Sequence, residues 1–308
     1  MVEQGVPLSE SPSRQRPSRG RIAARRAIAL VVLVGGLALA VWLVVSALGS
    51  VGGDEKQAKP VAPVAPPVLK IIFPEGFTRE QMAARIKAVN QIARTKRKIN
   101  PRLSPRAYLA ATARSKIPAT FAKDAKRRNL EGFLFPSTYQ FEPQTTSRQL
   151  VNRQLQAFEQ NWGKVDLAYA KSKKLTPYDV LIIASIVEKE VSAPEERDLV
   201  AAVIYNRLKA GMNLGIDATT RYGLHVPPTE PLRQSQLDST NPYNTRNRNI
   251  LGLPPTPIAN PGLASMQAAA HPAKTDYLFF VRKSDKIHHF FTASEQEFEE
   301  YLAAHGVG

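Results

Sequence analysis

The sequence contains no cysteine. Disulfides, thiol catalysis and cysteine-bound zinc are therefore excluded, and any folded region has to rest on core burial alone. Histidine is scarce, at five residues. None sit at metal-ligand spacing, and the neighbours His288 and His289 would point to opposite faces of a strand, so no metal site is expected. No G-x-S-x-G, Walker A or G-x-G-x-x-G pattern occurs in a fitting context, and no cofactor is expected. Acids are in deficit, 26 Asp and Glu against 42 Lys and Arg, which gives a formal net charge of +16. A basic surface attracts polyanions in general. Much of the excess, however, lies in an N-terminal arm and in "ARTKRKINPR" and "KDAKRR", away from any nucleic-acid motif. No nucleic-acid partner is expected; solvated helix faces account for the charge, with attraction to anionic lipid or wall polymer as a second reading.

One long apolar run breaks the pattern. Residues 1–26, rich in Ser, Pro and Arg, have nothing from which to build a core and are expected to be a disordered basic arm. "AIALVVLVGGLALAVWLVVSAL", residues 27–48, is an uncharged run of about 22 residues, long enough to cross a bilayer as a helix. Arg14, Arg16, Arg19, Arg21, Arg25 and Arg26 precede it, and Asp54 and Glu55 follow. The positive-inside rule then keeps the N-terminus in the cytoplasm and puts the bulk of the chain outside. A cleaved signal peptide is the competitor, since "VSA" near Ala47 resembles a cleavage site, but the run exceeds the usual ~7–15 apolar residues of such peptides. Residues 49–67, rich in Pro and Ala, suit a semi-extended spacer.

Beyond the spacer, residues 68–308 read as one α+β region, with an N-terminal part over 68–146 and a core part over 147–308. "VLKIIFPEGFTREQMAARIKAV" begins as a strand and becomes a helix capped by Thr78, with Met82, Ile86 and Val89 on one face. "LEGFLFPSTYQF", Leu130 to Phe141, reads as strand and turn, and a helical pattern runs from Ser147 to about Trp162. In "LTPYDVLIIASIVEKEV", Thr176 is placed as N-cap, Pro177 as the first helical residue and Asp179 as the N3 acid. Ser192 and Glu195 offer a capping box for a second helix that stops at Gly211. Met212 to Pro261 reads mostly as loop. A helix near Leu263 to Ala270, a strand in "DYLFFVRK", a hairpin into "HHFFTA" and an amphipathic helix complete the region.

The apolar run "LIIASIVEKEV" carries two acids, Glu188 and Glu190. On a 3.6-residue period Glu190 lies one turn beyond Ile186 and Val187, within an apolar stripe. An ionised carboxylate there is costly, so it is paired, exposed near the helix end, or kept protonated as a general acid for glycoside cleavage. Asp217 is either a second carboxylate for that chemistry or a turn residue, and "NPYNTR", Asn241 to Arg246, either grips sugar hydroxyls or makes ordinary turns.

Several strings occur in order: "LEGFLFPSTY", "ASIVEKE", "VIYNRLKAGMNLGIDATTRYG", "NPYNTR", "GLPPTPIANPG", "AAAHPAKTDYLFFV" and "HHFFT". On these the chain resembles the YceG-like family, the endolytic murein transglycosylases of bacteria, over Val68 to about Leu302. The resemblance implies a catalytic acid at the second Glu of "EKE", which is Glu190. It implies cleavage of the β-1,4 bond between N-acetylmuramic acid and N-acetylglucosamine in nascent glycan strands, leaving 1,6-anhydromuramyl ends. It also implies a cleft lined by Glu131, Asn206, Arg207, Asp217, Thr219, Tyr222, Asn241, Tyr243, Asn244 and Thr245, with His288 matching an H-x-F-x-T pattern better than His289. The partners it implies are peptidoglycan glycan strands, peptidoglycan synthases and membrane lipid, and the location a bacterial cell membrane. Two departures stand out: a LysM-like module common upstream in the family is missing or reduced, and Ser137 replaces the Asp of a "PDTY" string. The rival readings are a hydrolytic muramidase using Glu190 with Asp217 and a non-catalytic glycan-binding scaffold.

Overall fold

The structure, a computed structural model, describes residues 35–46, 67–114, 116–124 and 129–306. The chain divides into two units, Met1–Val64 and Ala65–Gly308. In the first, residues 35–46 form helix α1, and its apolar side chains, Leu37, Trp42 and Val45 among them, are exposed. Among the described residues no helix is long and apolar enough to cross a membrane. The remainder of the 27–48 run, the arm over 1–26 and nearly all of the spacer lie outside the described residues.

The second unit mixes helices with two small sheets and is α+β. Strand β1 (Leu69–Ile72) is followed by helices α2 (Arg79–Arg97) and α3 (Pro105–Arg114) and by strand β2 (Thr138–Phe141). The strands pair antiparallel, Leu69 opposite Phe141 and Ile72 opposite Thr138. Leu69 and Ile71 are buried while Lys70 and Ile72 are exposed, the alternation of a sheet with one wet face. Helices α4 (Ser147–Trp162), α5 (Ala168–Ser172), α6 (Pro177–Glu190) and α7 (Arg197–Ala210) come next. Thr78, Thr146 and Thr176 each close a capping box, with Gln81, Gln149 and Asp179 respectively, so the starts of α2, α4 and α6 are written locally.

Helix α6 is the centre of the unit. Residues 180–187 are all buried, because α7 packs along it on one side and α10 (Leu263–Ala270) on another. A helix enclosed in this way has to be apolar all round. One continuous core runs from Leu69 to Ala270, so residues before and after 146 share it. Strands β3 (Phe279–Arg282) and β4 (His289–Thr292) form an antiparallel hairpin, followed by α11 (Glu295–His305).

One expectation is corrected, and another, that residues 212–261 are mostly loop, holds with two short helices added. The Ser192–Glu195 capping box does not form: Ala193 is extended, Pro194–Glu196 makes a 3-10 turn, and α7 starts at Arg197 after Glu196, with no side-chain cap. Pro194, with its fixed φ and no N–H, starts that turn two residues past Ser192. Residues 212–261 also hold α8 (Asp217–Leu224) and α9 (Gln234–Leu237). Helix α8 carries two β-branched residues that disfavour helix, yet both hydroxyls are satisfied: Thr219 bonds the Ile216 carbonyl at 2.7 Å and Thr220 bonds Asn244 at 2.9 Å.

Asn260 ties the distant parts together. Its fully buried side chain accepts from the N–H groups of Gly132 and Leu134 and donates to the Phe77 carbonyl and to Glu131, all between 2.8 and 3.0 Å. Gly132 there has a φ of +91°, and the ring of Pro257 leaves no room for a Cβ. Replacing Asn260 by Ala is expected to strand the buried Gly132 and Leu134 N–H groups, since the Phe77 carbonyl keeps the backbone N–H of residue 260 and Glu131 keeps Arg79 and Tyr222, and to lower the unfolding free energy by about 3 kcal/mol. Urea denaturation followed by circular dichroism measures the loss.

Candidate active site

The end of α6 opens on a cleft of about 1510 Å³. Glu190 is its last helical residue and stands half-buried on the cleft wall. The two preceding side chains are turned to structural work: Glu188 accepts from the Gly262 N–H at the start of α10, at 3.0 Å, and Lys189 donates to the Gly76 carbonyl at 3.4 Å. Burial pushes the Glu190 carboxyl up to about 6, and the charge of Asp217 adds to this, while Arg282, the Ala218 N–H and Lys189 pull it down. A carboxyl in that range is populated as an acid at mildly acidic pH and remains able to act as a base once it has given its proton.

Opposite walls come from α8, the loop that follows it, and the β3–β4 hairpin. Asp217 opens α8 and is half-exposed, with the Arg246 guanidinium 3.4 Å from its carboxylate. Tyr222 and Tyr243 pack ring to ring with centroids 5.3 Å apart. Asn241 holds the loop to α8: its amide donates to the Gly223 carbonyl at 3.0 Å and its oxygen accepts from the Tyr243 N–H at 3.0 Å. Gly223 is required here, since a Cβ would collide with Tyr243 and Asn241.

The residues expected at the cleft divide into layers. Glu190, Arg207, Asp217, Tyr222, Asn241 and Tyr243 line it. Glu131, Thr219, Asn244 and Thr245 are fully buried behind it. Thr245 accepts from the Ile216 N–H at 3.0 Å, and the Asn244 amide donates to the carbonyls of Gln236, Leu237 and Ser239. Asn206 is spent on the Thr275 and Tyr277 carbonyls, each at 2.9 Å. Arg207, although on the wall, gives its donors to the carbonyls of Leu278, Asn213 and Leu214. His288 stands apart on the exposed turn of the hairpin, 2.8 Å from Asp285 and 3.5 Å from Glu195, and its neighbour His289 lines the cleft instead.

Glu131 is the least ordinary of the buried set. Its carboxyl accepts from the Arg79 N–H, the Tyr222 hydroxyl and the Asn260 amide, so it links the N-terminal part to a residue of the cleft wall. Burial pushes it up to about 8, with Glu80 adding and Arg79 opposing.

Sequence reasoning named Arg246 within the "NPYNTR" string but did not single out Arg282, His289 or Glu196. The one available signal was strand period: Phe280 with Arg282, and His289 with Phe291, alternate onto one face of the hairpin.

Comparison with known proteins supplies the context. The family described as YceG-like matches residues 55–304. An endolytic murein transglycosylase of Bacillus subtilis is 32% identical over 222 residues, covering 70% of this chain and 59% of the relative. One from Streptococcus pneumoniae R6 is 30% identical over 275 residues, 82% of this chain and 46% of the relative. The chain thus spans about half the length of these curated relatives. The crystal structure of a YceG-like protein from Listeria monocytogenes aligns over 75% of each chain with a TM-score of 0.61 at 29% identity.

Glu131 generates a pH prediction. Its pKa of about 8 in the folded protein lies above the ~4.3 of a free glutamate, so the folded state keeps a proton that the unfolded chain has released. Its contribution to stability is complete below about pH 4.3 and is lost as pH rises toward 8. Glu190 adds a slope of the same sign that ends near 6. Urea unfolding from pH 5 to 8 should show falling stability, and Glu131→Gln should flatten the upper part of that slope.

Proposed function

The chain belongs to the YceG-like family, and we propose that its cleft cuts peptidoglycan glycan strands as a lytic transglycosylase, with Glu190 as the catalytic acid. The observation that carries this reading is Glu190, an acid pushed up to about 6 at the edge of a cleft of about 1510 Å³. Small-molecule pockets usually occupy ~300–1,000 Å³, so the larger open volume suits a segment of polymer. The names of the relatives, endolytic murein transglycosylases, support the same substrate class.

One carboxyl suffices for the chemistry. Glu190 gives its proton to the glycosidic oxygen between N-acetylmuramic acid and N-acetylglucosamine, and the bond from C1 to that oxygen breaks. The C6 hydroxyl of the same muramyl unit attacks C1 and returns its proton to the Glu190 carboxylate. The product ends in a 1,6-anhydro ring, no water is consumed, and the acid is restored. Ordinary glycosidases need two carboxyls at a set separation. Asp217 is the nearest thing to a second one; Arg246 holds it as an ion pair. A hydrolytic route through Asp217 is the second reading, supported by its electrostatic effect on Glu190.

The proposed setting is a bacterial cell membrane, with residues 27–48 as a single span, the N-terminus in the cytoplasm and the catalytic unit outside. The support is the uncharged run, the arginines before it and the exposed apolar side chains of α1. Membrane lipid and the synthases that make new strands are the proposed partners there.

Mass spectrometry of uncrosslinked glycan strands incubated with the detergent-solubilised chain should show anhydromuramyl ends. Glu190→Gln should reduce their formation by at least ~100-fold. Glu188→Gln should keep a substantial fraction, because its amide oxygen still accepts from Gly262. Reducing ends in place of anhydro ends would select the hydrolytic route, and binding without cleavage would select a scaffold.

A further inference from the structure

Beside Glu190 lies a charged cluster to which the mechanism above gives no part. Arg282 and His289 are directly paired across the β3–β4 ladder, and residues so paired project from the same face. That face meets the turn between α6 and α7. The Arg282 guanidinium donates to the Glu190 backbone carbonyl at 2.6 Å. This carbonyl belongs to the last residue of α6 and has no acceptor role within the helix, and a cation there also complements the negative end of the helix dipole. Six residues further on, Glu196 is buried against His289, which is 4% exposed. The imidazole Nδ1 lies 2.6 Å from the Glu196 carboxylate, and the His289 backbone N–H donates to the same carboxylate at 3.0 Å. The hairpin is therefore fastened to both ends of the 190–196 turn through two charge-assisted contacts.

We propose that Arg282 is a positioning residue for the acid, held in register by the Glu196–His289 pair: it fixes the carbonyl end of α6 and with it the Glu190 carboxyl, and it stabilises the carboxylate left after proton donation. The inference rests on the reading of Glu190 as the acid. A group that must donate a proton and then recover one works best when neither state is heavily disfavoured. Burial alone disfavours the carboxylate. Asp217, on α8, pushes the same way; Arg282 on β3, Lys189 on α6 and the Ala218 N–H oppose it. His289, the titratable neighbour on β4, has its own pKa held down by burial, with Glu196 opposing. Arg282 is the strongest counterweight to burial.

The test is the pH–rate profile of anhydromuramyl end formation by the full chain and its variants. Activity requires a protonated Glu190, so the alkaline limb follows its pKa. Arg282→Met should lower kcat about 10-fold or more with little change in KM, and move that limb upward by about one pH unit. Arg282→Lys, which keeps the charge, should return the limb close to its original position. His289→Gln should lower kcat in the same way with a smaller displacement of the limb. Carbon-13 titration of the Glu190 carboxyl provides the same readout if Arg282→Met is too slow to assay: its midpoint should rise from near 6. A slowed Arg282→Met with an unmoved limb and an unmoved titration, matched by an equally slow Arg282→Lys, would reduce Arg282 to a support of the hairpin and overturn the inference. Failure of the unaltered chain to make anhydro ends would remove the reading of Glu190 first, and the inference with it.

Discussion

The amide of Asn260 is the contact on which the rest of the unit depends. It joins three segments with no local reason to meet: the turn before α2, the turn over 131–134 and the loop that leads into α10. All four of its bonds are made inside the protein, where an incomplete polar group is costly and a complete one fixes a single arrangement. Glu131 extends the node to Tyr222, so a cleft residue is held by a network centred on a buried amide. The cleft's shape follows from this fixing of loops more than from any regular element.

An acid on a core-like segment then has a physical explanation. Helix α6 is apolar because α7, α10 and the N-terminal part all pack on it. Its last turn is the first to meet solvent, and the three charged residues there each serve a different direction: Glu188 toward α10, Lys189 toward the Gly76 turn, Glu190 toward the cleft. The core behind Glu190 weakens its charge, and the hairpin in front restores part of it. Its intermediate pKa is the balance of these two effects, neither of which belongs to Glu190 itself.

Much of this was legible where the determinants are local. The bounds of α4, the capped start of α6, the Gly211 stop and the C-terminal hairpin all follow from periodicity and end signals within a few residues. Ser192 misled because one proline redirected the turn, and α8 was hidden because its threonines are satisfied by partners from 24 to 26 residues away. Helical register singled out Glu190. The division of Asn206, Thr219, Asn244 and Thr245 from the cleft-lining residues was not legible, since polar side chains that bond backbone look the same in sequence as those that face a cleft. Arg282, His289 and Glu196 matter through contacts that span 92 or 93 residues, and no window of sequence holds both partners.

That span also has a temporal side. A ribosome adds ~5–20 residues per second, so Arg282 follows Glu190 out of the exit tunnel by about 5–18 s. During that interval the acid's helix can form and its core can begin to close, but the counter-charge and the buried pair that complete its surroundings do not yet exist. The chain is thus made in an order that places the reactive group before its counter-charge, and competence waits for the hairpin.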